Sequence, residues 1–149
     1  MIRLTQEQIR EIADSMDMGS RFFIHKETAE IITYPDELKC PGFDTEPWEE
    51  EMNKVEENWP DYMEIDAMES HDAFSIMEDF VEEVLSPGPF KERLIRALNR
   101  PKPFRNFNYE IHDSKEYREV WFKFKLAKQM EWVQEQNVHA FGTSAQFEI

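Results

Sequence analysis

The spacing of apolar positions changes period several times along this chain. In "TQEQIREIADSM", Ile9, Ile12, Ala13 and Met16 recur at helical spacing behind a Thr5/Gln8 capping-box pattern. A helix from about Thr5 to Asp17, stopped by Gly19, is predicted. "RFFIHKETAEIITYP" then reads as a β-hairpin: Phe22, Phe23 and Ile24 face Ile31, Ile32 and Tyr34 across the polar "KETAE" connection, and Pro35 ends the second strand. Residues 36–60 are irregular and acidic, yet Trp48, Met52, Val55 and Trp59 fall at spacings of 4, 3 and 4. That predicts an acidic insertion carrying one short helix packed by its tryptophans. "DYMEIDA" reads as a third strand with Tyr62 and Ile65 on opposite faces.

The remainder is helical in pattern. "SHDAFSIMEDFVEEVL" carries the stripe Phe74, Met77, Phe80, Val81 and Val84, with Ser70 as the expected N-cap and Asp72 in the first turn. "FKERLIRALNR" places Phe90, Leu94 and Leu98 on one side, and "PFRNFNYEI" repeats the pattern with Phe104, Phe107 and Ile111. A last helix is expected from a Ser114 cap to about Asn137. Its apolar positions cover more than half its circumference, so it needs other helices or a partner around it. The tail from about 138 to 149 has no periodicity and is expected to be loose. No repeat or low-complexity tract interrupts the order. Strands gathered early and helices late predict an α+β fold: a small antiparallel sheet, made of the N-terminal hairpin and a third strand, packed by several helices, with a helical C-terminal half. A single domain over 1–149 is expected at this length.

The octapeptide "RPKPFRNF", residues 100–107, invites two explanations: a basic-aromatic binding surface, or a corner between two core helices. Pro101 cannot continue the preceding helix and pushes Arg100 out of helical geometry, while Pro103 suits the first turn of the next. Phe104 and Phe107 belong to that helix's apolar stripe. A corner is therefore predicted, with Lys102 and Arg105 facing water.

Composition narrows the function classes. The formal net charge is −15. Asp36 to Glu83 holds 18 acidic residues against Lys39 and Lys54, whereas Lys91 to Lys128 holds 11 basic against 5 acidic. The overall sign opposes nucleic-acid binding, and no helix-turn-helix, zinc-finger or RNP pattern occurs. No apolar run of membrane-spanning length and no signal-peptide core are present, and the lone Cys40 forms neither an internal disulfide nor a CxxC site. A cytoplasmic protein is expected.

Motifs for chemistry are sparse. The four histidines, His25, His71, His112 and His139, show no i, i+3 or i, i+4 pairing, so no metal site is predicted. There is no GxSxG and no glycine-rich phosphate loop, so neither a nucleophile nor a cofactor is assigned. Cys40 reads as a structural or surface thiol. Glutamates and aspartates are too numerous for an acid/base pair to be singled out.

"DAFSIMEDFVEEV", "KERLIRALNRPKPFRNF" and "YREVWFKFK" together resemble the UPF0158 family of uncharacterised, mainly bacterial proteins, over roughly Ile12 to Gln136. The resemblance implies the same order of hairpin, acidic middle, "MEDF" helix, "PFR" segment and aromatic helix. It implies no activity. This chain departs from the family pattern at Asn106 and Asn108, where Arg and Lys are usual, and at Asn99-Arg100, where a glycine turn is usual. Both departures lower the basic charge around Arg105.

Three functions fit the sequence. The first is a non-enzymatic binding or regulatory module that engages a protein, or a second copy of itself, through the acidic loop or the last helix. The second is a small-molecule-binding protein or enzyme with a pocket between hairpin and helices, for which His25, Arg105 and Trp121 are candidates by residue type. The third is an acidic mimic of nucleic acid that occupies a basic protein.

Overall fold

The computed structural model describes residues 2–136 and 138–141. The fold is α+β, and the chain divides into two compact units: 1–67 with 129–149, and 68–128.

The first unit begins with β1 (Ile2–Thr5), which runs straight into α1 (Gln6–Asp14). The capping box forms as expected: Thr5 Oγ1 accepts from the Gln8 N–H at 3.1 Å, and Gln8 Oε1 accepts from the Thr5 N–H at 2.9 Å. Ile9, Ile12 and Ala13 bury the inner face of the helix. A 3-10 turn, Met16–Met18, ends at Gly19, whose φ is +75°. A Cβ there would also lie 3.1 Å from Cys40 Sγ, so glycine answers both the turn and the close approach.

β2 (Ser20–His25) pairs antiparallel with β3 (Ile31–Pro35) on one edge and with β4 (Tyr62–Ile65) on the other. The order β3-β2-β4 makes the hairpin's first strand the centre of the sheet. One face carries Phe23, Ile32, Tyr34 and Tyr62, packed with Val55 of α2 (Glu49–Glu57) and flanked by Trp48 and Met52. On the other face Phe22, Ile24 and Ile65 are buried too. Burial on both faces is why "FFI" reads as a continuous apolar run and not as an alternation. Arg21 lies over the Phe23 ring at 4.9 Å and grips both oxygens of Glu64 at 2.8 and 2.9 Å. That fork holds the Arg21 guanidinium above its ordinary pKa.

Two elements differ from expectation here. Trp59 belongs to a 3-10 turn, Trp59–Asp61, after α2, and is 52% exposed; it only edges the Phe23 ring at 5.9 Å. The tail is regular over β5 (Val138–Phe141), which pairs in parallel with β1 in the register Ile2 to Val138. Burial of Ile2, Leu4 and Val138 supports that pair. Residues 142–149 lie outside the described residues.

The second unit is helical: α3 (Ser70–Glu83), α4 (Pro89–Leu98), α5 (Pro103–Asp113) and α6 (Arg118–Gln134) as far as Lys128. The cap of α3 is Glu69, not Ser70. Glu69 and Asp72 form a reciprocal box, because Asp72 Oδ2 accepts from the Glu69 N–H at 3.1 Å. Ser114 caps as expected, its Oγ accepting from the Tyr117 N–H at 3.2 Å, and a turn over 115–117 leads into α6, which is regular from Arg118. The core is an aromatic cluster: Phe80 meets Phe107 at 6.3 Å, Trp121 at 5.2 Å and Phe124 at 5.4 Å, and Phe107 meets Trp121 at 4.8 Å, all edge to face.

The octapeptide is the predicted corner. Phe107 is fully buried and Phe104 packs edge-on to Phe74, while Arg100, Lys102 and Arg105 are exposed. Asn106 ties the corner: its Nδ2 donates to the Pro101 carbonyl at 2.9 Å and to that of Ala97 at 3.3 Å. Phe107→Ala is expected to lower stability by about 3–5 kcal/mol, as for other buried aromatic truncations. Arg105→Ala should stay within about 0.5 kcal/mol of wild type. Urea unfolding followed by tryptophan fluorescence measures both, and equal losses would return the octapeptide to the surface.

Candidate functional site

The first unit contains an open cleft of about 500 Å³ lined by His25, Thr28, Glu30, Lys54, Asn58, Asp61 and Tyr62. Its size is that of small-ligand sites. Its walls come from five neighbouring pieces of backbone: the last residue of β2, the hairpin turn, the C-terminal end of α2, the 3-10 turn and the first residue of β4. The sheet register brings them together by setting His25 opposite Tyr62. The hairpin turn is then tied to the 3-10 turn, where the Lys26 N–H donates to the Asp61 carbonyl at 2.8 Å.

His25 is the best positioned of these side chains. Its Nδ1 accepts from the backbone N–H groups of Glu27 and Thr28, each at 3.1 Å. The neutral ring therefore carries its proton on Nε2, which has no partner among the described residues. The ring stands edge-on to Tyr62 at 5.1 Å and 83°. Ala29, at φ +63°, lets the chain close behind it, with the Ala29 N–H on the His25 carbonyl.

Opposite lies an ion pair. Lys54 Nζ reaches the two oxygens of Glu30 at 2.9 and 3.0 Å. The hydrogen bond to Glu30 raises the Lys54 pKa above its ordinary value. Both partners are about half exposed, so the pair orders the cleft more than it stabilises the fold. Tyr62 is held above the usual phenol value, first by burial and then by the negative charge of Glu30. Asn58 caps the end of α2 by donating from Nδ2 to the Lys54 carbonyl at 2.9 Å.

Of the three residues expected at a site, only His25 lines this cleft. Arg105 is exposed on α5 and Trp121 lies in the aromatic core of the other unit, with 2% of its surface accessible. Glu30, Lys54, Asn58, Asp61 and Tyr62 were not anticipated. One signal was available: Lys54 is one of only two basic residues in the acidic run, so a carboxylate partner was to be expected. Among the described residues no cluster of three His, Cys, Asp or Glu side chains could hold a metal, and no helix is long and apolar enough to cross a membrane.

A family model, described as an uncharacterised protein family (UPF0158), matches residues 1–145. The chain belongs to that family. No curated protein and no solved structure matches it significantly.

The cleft has an alkaline signature. Tyr62 and Lys54 both have folded pKa values above their ordinary 10.0 and 10.5. The stability they contribute is present below those ordinary values and is lost as pH climbs through the folded ones. Denaturant midpoints measured from neutral pH upward should hold steady and then fall above pH 10.0, the ordinary phenol value. Tyr62→Phe should make that fall shallower without abolishing it, because Tyr34 is raised in the same direction by burial. An unchanged slope would mean that Tyr62 is not shielded.

Proposed function

We propose that this member of the UPF0158 family is a non-enzymatic binding module whose cleft at the hairpin end takes a small polar ligand. One observation carries this: a ligand-sized cleft in which the His25 ring is fixed by two backbone N–H groups while its Nε2 has no partner. A polar donor held in one orientation against the face of an aromatic ring is what selective recognition of a small molecule requires. Nothing in the cleft supplies an activated nucleophile or a pair of carboxylates poised for proton transfer, and Glu30 is engaged by Lys54. Ligand-observed NMR with a mixed library of small polar metabolites tests the proposal. Compounds are expected that bind the wild-type chain and not Asn58→Trp, in which the indole fills the cleft. A library that fails to distinguish the two proteins refutes the proposal.

A second role, self-association through α6, is supported by the outward Val120 and Phe122, which are 41% and 50% exposed. The unit that carries them has 11 acidic and 11 basic residues, so two copies can meet there without the repulsion that the acidic first unit would impose. Sedimentation velocity over a concentration series is expected to show a reversible dimer that Phe122→Ser weakens. A monomer throughout disposes of it.

A further inference from the structure

Charges around the cleft do not balance. Lys54 is its one permanently cationic side chain, and Glu30 already holds that ammonium with both oxygens. Asn58 uses its Nδ2 on the Lys54 carbonyl, which leaves Oδ1 as an acceptor. Asp61 engages its neighbours only through its backbone: its N–H donates to the Asn58 carbonyl at 2.8 Å and its C=O accepts from Lys26. Among the described residues the Asp61 carboxylate has neither an ion pair nor a hydrogen bond. Two carboxylates against one ammonium leave the cleft one negative charge in excess, within the unit that carries the whole −15 of the chain.

The excess charge sits on one turn, at Asp61, with the Asn58 Oδ1 acceptor three residues before it. The His25 Nε2–H donor, without a partner among the described residues, belongs to the hairpin side of the cleft, and an ammonium leaves it to water. Beside the turn the His25 and Tyr62 rings stand edge to face, and the carbon ring of Tyr62 is the apolar part of the lining. An anion would meet Asp61 and would have to displace Glu30 from Lys54. A bare divalent cation asks for six or more oxygen ligands, against the few acceptors present. An alkylammonium has three N–H donors and a carbon stem, and suits both halves of the lining. On the reading of this cleft as a ligand site, we propose that its ligand is a small primary amine. Its ammonium donates to the Asp61 carboxylate and to Asn58 Oδ1, and its stem lies along His25 and Tyr62.

Three probes with one carbon skeleton test the charge class: n-butylamine, n-butanol and butyrate, titrated into the ¹⁵N-labelled chain at neutral pH and physiological salt. Butylammonium is expected to shift the backbone amides of Lys26, Glu27, Thr28 and Asp61 saturably, with butanol several-fold weaker and butyrate silent. Asp61→Asn should weaken butylammonium about tenfold, the loss expected for one charge-assisted hydrogen bond. Glu37→Gln, which removes the same charge at an exposed position outside the cleft, should not weaken it. Equal weakening by the two variants, or none by Asp61→Asn, overturns the proposal by showing diffuse attraction to an acidic surface. Binding of butanol or butyrate at the same amides, as tight as or tighter than the amine, sinks the amine class while the cleft remains a ligand site. If no probe moves those amides, the amine class falls, and the metabolite screen with Asn58→Trp then decides separately whether the cleft binds anything.

Discussion

The central strand of the three-stranded sheet is constrained on every side. β2 is hydrogen-bonded along both edges and covered on both faces, with Phe23 under α2 and with Phe22 and Ile24 buried opposite. A slip of one residue in either pairing would exchange those two buried faces and leave neither matched. The register is therefore strongly determined, and the positions of His25 and Tyr62 follow from it. The cleft is polar and open, but its geometry is inherited from a buried, apolar strand. Such support by a rigid element is what a recognition site needs.

The two units solve the problem of a small core by different means. The first relies on a sheet with helices and carries all of the excess negative charge. The second has no strand among its described residues and is electrically balanced. It holds four helical segments together with a few aromatic side chains, each of which buries a large area for its number of backbone residues. Asn106 adds a polar fastening where α4 turns into α5, by satisfying the Ala97 carbonyl at the end of α4 and the Pro101 carbonyl in the connection.

The hairpin, the third strand, the α3 stripe and the proline corner were legible because each is announced by local chemistry: apolar period, turn residues, proline geometry. The β1–β5 pair was not, because it joins two four-residue segments from opposite ends of the chain, and neither is long enough to show a period. The Glu69 cap was overlooked because serine is the stronger prior at that place, although the carboxylate with Asp72 three residues on satisfies the same N–H groups. The cleft was the least legible feature. Its seven residues lie on two turns, a helix end, a strand end and a strand start, and no spacing connects them. Residue type alone picked out His25. The same criterion also chose Trp121, whose large apolar ring is better accommodated in the core.

The parallel pairing of residues 2–5 with 138–141 has a further consequence for how this protein is made. On the ribosome β1 emerges long before residues 138–141 and must wait for its partner to be made. Residues 68–128 form one uninterrupted stretch with a core of its own, so they can pack while the flanking halves of the other unit are still being joined. The closing of β5 onto β1 has to follow the synthesis of that stretch, and a chain terminated before residue 138 can never take that step.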